Sequence, residues 1–150
     1  MNIKWTSENS LKLSRILTTA VLVLACGILF LIPIITQWYD DVSGKEPIMP
    51  VLTVCFYLCD IIAILALWEL NLLLKNISKQ ELFTERNTKC VRIISWCLFG
   101  VAAVFAGLSF WRLLALLVAV IAAFVGLILR VVKNMLATAA EMREENDYTI

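Results

Sequence analysis

Two carboxylates sit where a carboxylate is expensive. Asp60 and Glu69 both fall inside the apolar run from Val51 to Leu74. If that run crosses a bilayer, an ionisable group within it costs several kcal/mol unless it is paired or used. Asp60 lies about nine residues, or about 14 Å, beyond the start of the run, which puts it near mid-membrane. Cys59 is beside it and Cys55 one turn earlier. Such a carboxyl can hold a proton or a small cation, or touch a polar ligand. The structural alternative is a neutral, protonated carboxyl making one hydrogen bond between helices. Two thiols and a carboxylate on adjacent turns amount to part of a soft-metal site at most, and no metal is assigned to them. Glu69 lies nearer the inner face. Arg130 is expected at a similar depth in a later apolar run, so a structural Glu69–Arg130 salt bridge is the expected arrangement.

Other chemistry is hard to assemble. The chain has no histidine, which removes the commonest general base and the commonest zinc ligand. The five cysteines, at 26, 55, 59, 90 and 97, show no CxxC spacing, and all but Cys90 lie in apolar runs. Cysteine there behaves as a small hydrophobe. No Gly-x-Ser-x-Gly elbow, His-Glu-x-x-His or P-loop occurs. The expectation is a non-enzymatic protein with no catalytic residues, no cofactor and no metal.

The elements that hold these residues follow from composition. Of 150 residues, 61% are hydrophobic, more apolar surface than a soluble domain of this length can bury. A bilayer core about 30 Å thick takes roughly 20 apolar residues of helix. Four segments qualify: about 16–36, 51–74, 91–110 and 113–132. The first is longer than a signal-peptide core and no small-x-small cleavage pattern follows it, so it reads as an uncleaved span. Alternating strand patterns are absent. The fold class is all-α, an integral membrane four-helix bundle forming a single domain over 1–150.

Charge sets the orientation. Lys4, Lys12, Arg15, Lys75, Lys79, Arg86, Lys89, Arg92, Arg130, Lys133 and Arg143 fall on one side, against Lys45 and Arg112 on the other. Both termini are therefore expected in the cytoplasm. The outer loop, Gln37 to Pro50, is acidic at Asp40, Asp41 and Glu46 and reads as a solvated turn. Ser109 to Arg112 is short enough to force spans three and four into an antiparallel pair. Arg112 can snorkel to lipid phosphates. Ala103 and Gly107 are expected to face a small-residue stripe at Ala115, Ala119, Ala122, Ala123 and Gly126, since small residues let helices approach in lipid.

The inner loop contains a capping-box pattern, Ser78-x-x-Glu81, with Leu82 and Phe83 suited to the membrane interface. Thr84 can cap the third span, with Glu85 in its first turn. Beyond Val132 the residues to Arg143 are good helix formers, so the fourth helix should continue past the membrane. Met135, Leu136, Ala139 and Met142 form an apolar stripe on it, suited to docking on the inner loop or another protein. The acidic end, Glu144 to Ile150, can pair weakly with the basic loop. The residues expected to meet a partner are Lys79, Phe83, Arg86 and Lys89 of the loop, with Met142, Glu144, Glu145, Asp147 and Tyr148 of the tail.

Leu82-Phe83-Thr84-Glu85-Arg86-Asn87, together with Leu129-Arg130-Val131-Val132-Lys133-Asn134 and the ending Glu145-Asn146-Asp147-Tyr148-Thr149-Ile150, resembles the bacterial four-helix membrane proteins of the YoaS-like family, domain of unknown function 2975. The resemblance covers essentially the whole chain and implies a bacterial cytoplasmic membrane protein. Genes of this kind often stand beside a small helix-turn-helix repressor, which suggests a membrane protein that captures a cytoplasmic regulator. The leading expectation is thus a lipid-embedded protein that binds such a regulator and does not itself touch nucleic acid, with self-association left open. Two rivals stand beside it: a small transporter or channel subunit using Asp60, and an immunity protein against a membrane-active peptide, in which the outer loop would matter most.

Overall fold

The computed structural model describes residues 7–79 and 83–149. Four helices account for almost all of them: α1 (Ser7–Ser43), α2 (Met49–Ser78), α3 (Glu85–Leu108) and α4 (Leu114–Tyr148). Each is long and apolar enough to cross a membrane. Large apolar side chains such as Phe30, Phe110 and Leu114 project from the surface, each more than 80% exposed. In water that surface would drive aggregation; in lipid it is the solvated face. The chain is an all-α integral membrane protein.

Interhelical hydrogen bonds mark each antiparallel pair, two of them for α1 and α2 and one each for the others. In α1 and α2, Thr36 and Thr53 share a hydroxyl hydrogen bond of 2.9 Å, and Asn71 Nδ2 donates to Thr19 Oγ1 at 3.2 Å. Asn76 Nδ2 of α2 donates to Asn87 Oδ1 of α3 at 2.9 Å. Ser95 Oγ of α3 donates to the Gly126 carbonyl of α4 at 2.9 Å. Hydrogen bonds between helices have no competing water in lipid, so each also fixes register. Residues near 7, 78, 85 and 148 therefore share one end, and the two turns at 44–48 and 109–113 share the other.

The bundle is open. α1 packs on α2, α2 on α3 and α3 on α4, with no close backbone approach of α1 to α3 or α4, or of α2 to α4, among the described residues. α3 and α4 make the most extensive pair, since small residues along α4 let the two helices approach closely. Ala115, Ala119, Ala122 and Gly126 of α4 are buried there, as the small-residue stripe predicts. The expected partners on α3 need correction. Ala103 and Gly107 are exposed, and Ala102 and Ser95 are buried. A helix turns about 100° per residue, so a stripe through Ser95, Phe99 and Ala102 swings Ala103 and Gly107 away.

At the turn-bearing end, Ile48, Leu52, Leu108 and Ala115 form a small buried cluster. Gly44 ends α1 with φ of 59°, a conformation that favours glycine. The outer loop is less free than its acidity suggests: Asp40 Oδ2 accepts from the Met49 backbone N–H, where α2 begins. Arg112 reaches back across the molecule to the Glu46 carbonyl at 3.1 Å and lies 5.9 Å from the Tyr39 ring centre. It ties the two turns together instead of extending away to lipid phosphates. At the opposite end, Thr84 caps α3 by accepting from the Asn87 N–H, and Glu85 occupies the first turn. Glu81 and Leu82, and with them the capping-box pattern, lie outside the described residues, as do Lys4 and Ile150.

Candidate functional site

Asp60 lies on the α1-facing side of α2. With Ile28, Ile32, Ile35, Phe56, Cys59 and Ala63 it lines a cavity of about 290 Å³ between the two helices. Its Oδ2 is buried and has no hydrogen-bond partner among the described residues. Cys55 packs instead near the turn-end cluster, so the three do not close on one point. No group of three or more metal-ligating side chains occurs among the described residues.

Glu69 does not pair with Arg130. It lies beside the Cys90 thiol of α3, which also neighbours Arg86, and its Oε2 is buried without a partner among the described residues. Arg130 is on α4, and α3 stands between α2 and α4. Equal depth is not proximity when the helices form a row. Arg130 instead places its guanidinium 5.3 Å from the ring centre of Trp96, a cation–π arrangement. Around it, Arg92, Ser95, Trp96 and Lys133 complete the lining of a cavity of about 250 Å³.

The termini-bearing end carries the residues expected to meet a partner. Lys79, Phe83, Arg86, Lys89, Met142, Glu144, Glu145, Asp147 and Tyr148 are all exposed. Lys89 and Glu144 line a cleft of about 270 Å³ between the start of α3 and the extension of α4, with Glu85, Thr88, Arg92, Ala137, Ala140 and Glu141. Ala137 and Ala140 turn toward α3, which leaves Met135 and Met142 exposed, 67% and 63%. Among the described residues the acidic tail makes no ion pair with the basic segment, and the one pair found there joins Lys89 and Glu85 at 3.7 Å. That pair lies within one exposed turn and contributes little.

The sequence reading missed Asp40 as a cap, Arg112 as a cross-tie and the convergence of Arg92, Arg130 and Lys133. The last left a signal: Arg92-x-x-Ser95-Trp96 and Arg130-x-x-Lys133 each place polar groups on one helix face.

Fold and placement of polar residues define a multi-pass membrane protein with polar groups gathered at one end and a lone carboxylate in an interhelical cavity. The chain belongs to the family of proteins of unknown function DUF2975, whose profile matches residues 12–150. No curated protein and no solved structure matches it.

Proposed function

We propose that this chain is a non-enzymatic anchor in the bacterial cytoplasmic membrane that receives a small helix-turn-helix regulator on its cytoplasmic end. The observation that carries the reading is the length of α4. From Lys133 to Tyr148 the helix continues for about 22 Å after the span is complete. The extension meets the start of α3 along its Ala137 and Ala140 side, and its remaining faces and its end from Glu141 to Tyr148 are exposed for another surface. Here Met142 and Tyr148 offer apolar anchors, with Glu144, Glu145 and Asp147 around them. DNA-binding helices are basic because they meet phosphates, so an acidic helix end is a complementary surface for one. The excess of cations at this end supports a cytoplasmic location for it.

The test is crosslinking and recovery from native membranes, comparing the full chain with one truncated after Ala140. A DNA-binding protein recovered with the full chain and lost on truncation is the expected result. Recovery of no such protein with either form overturns the reading.

A second reading rests on Asp60. A carboxylate with an unpartnered oxygen in an otherwise apolar cavity is a site for a proton or a small cation. It predicts a flux in liposomes that Asp60→Asn abolishes while insertion and helicity are unchanged. No flux, or flux indifferent to the change, removes it.

A further inference from the structure

We propose that the α3–α4 groove at the termini-bearing end holds the phosphate of an anionic membrane lipid, through Arg92, Arg130 and Lys133. These residues come from two helices and meet across one cavity of about 250 Å³ whose remaining lining is Ser95 and Trp96. No carboxylate lines it, and none of the three cations is ion-paired among the described residues. Three like charges brought together repel one another, and the repulsion grows where water is scarce. An anion between them reverses the sign of that interaction.

Depth selects the anion's source. Counting from the far turn, Leu114 to Arg130 spans about 24 Å of helix and Leu114 to Lys133 about 28 Å. On α3, Leu108 to Arg92 is again about 24 Å. With a hydrocarbon core about 30 Å thick, the backbone of Lys133 stands near its edge and those of Arg92 and Arg130 about 6 Å inside it, so the long side chains reach the level of lipid phosphates. Trp96 is 58% exposed and sits where indole rings favour the interface. Its ring also holds the Arg130 guanidinium, so that a planar fork of donors is oriented in advance. Leu127 precedes Arg130 by three residues on the same helix stripe and is 55% exposed, a surface for an acyl chain. Register is held from beneath: Ser95 is buried and bonded to Gly126, which keeps the two helices close just inside the cavity. Basic pockets between membrane helices are where anionic headgroups lodge. The inference stands whether or not a regulator docks on the α4 extension.

The test is native mass spectrometry of the full chain in mild detergent, titrated with phosphatidylglycerol, cardiolipin or phosphatidylcholine. Anionic lipid is expected to bind in preference to phosphatidylcholine, and each cation removed is expected to weaken it about fivefold. The triple change Arg92→Gln, Arg130→Gln and Lys133→Gln should abolish the preference. Lys12→Gln with Lys75→Gln, at the same end but outside the groove, should leave it intact. If the triple variant does not fold, Lys133→Gln alone keeps the test, with its single fivefold loss. Equal loss from the control pair, or equal binding of phosphatidylcholine, overturns the site. Displacement of the lipid by millimolar inorganic phosphate overturns the lipid as its occupant.

Discussion

At the scale of single residues, position relative to the membrane decides what a charge does. Asp40 and Asp41 are neighbours of the same type, yet only Asp40 accepts from the first N–H of α2. A helix start leaves its first N–H groups unpaired, and a carboxylate there makes a charge-assisted bond. Asp40→Ala should therefore lower the stability of the purified protein by about 1–2 kcal/mol. Asp41→Ala, an exposed change, should be close to neutral. Thermal unfolding in detergent, followed by circular dichroism, distinguishes the two; equal effects would mean that the cap contributes nothing. Nothing in the sequence separates these two aspartates, because the bond closes across a loop whose path is a tertiary property. Thr84 was readable for the opposite reason. A cap bonding three residues onward is local, and its Thr-Glu start can be seen in the chain.

At the scale of elements, the small residues of α3 and α4 test how helices approach in lipid. A Cβ on Gly126 would stand 3.3 Å from Phe99 Cε1 and 3.4 Å from the Leu98 Cβ, whereas one on Gly107 meets nothing within 4 Å. Gly126→Leu should force α3 and α4 apart and destabilise the protein by about 1–3 kcal/mol, as overpacking does. It should also stretch the Ser95 bond to the Gly126 carbonyl. Gly107→Leu adds a side chain facing outward and should be neutral or slightly stabilising, since leucine is the better helix former. The same unfolding assay ranks them, and an equal penalty at Gly107 would place a packed neighbour where none is described. This pair also marks the limit of pattern reading. The α4 stripe was legible because its small residues recur at helical spacing against bulky neighbours. On α3, Ala102, Ala103, Ala106 and Gly107 spread around the helix, and lipid and a partner helix are equally apolar. Hydropathy alone therefore has no preference for the face that packs.

At the scale of the molecule, four spans were legible because an apolar run of about 20 residues has one stable form in lipid, a helix with its backbone bonds satisfied internally. The order of packing was not. Glu69 and Arg130 agree in depth, and only the row in which α3 separates α2 from α4 keeps them apart. Orientation is the remaining property of the whole, and the functional readings depend on it differently. The cations gather at the end bearing 12, 75, 89 and 133, while Lys45 and Arg112 lie at the other, with Arg112 already bonded to the Glu46 carbonyl. The positive-inside bias predicts that Lys45→Cys is labelled on intact cells by a membrane-impermeant thiol reagent. Lys79→Cys, exposed at the opposite end, should react only after permeabilisation. Each is made in a chain whose five native cysteines are replaced by serine or alanine and whose membrane insertion is verified. The reverse labelling would turn the α4 extension outward and end the case for a cytoplasmic regulator. It would leave the lipid groove standing, because both leaflets present phosphates at the same depth.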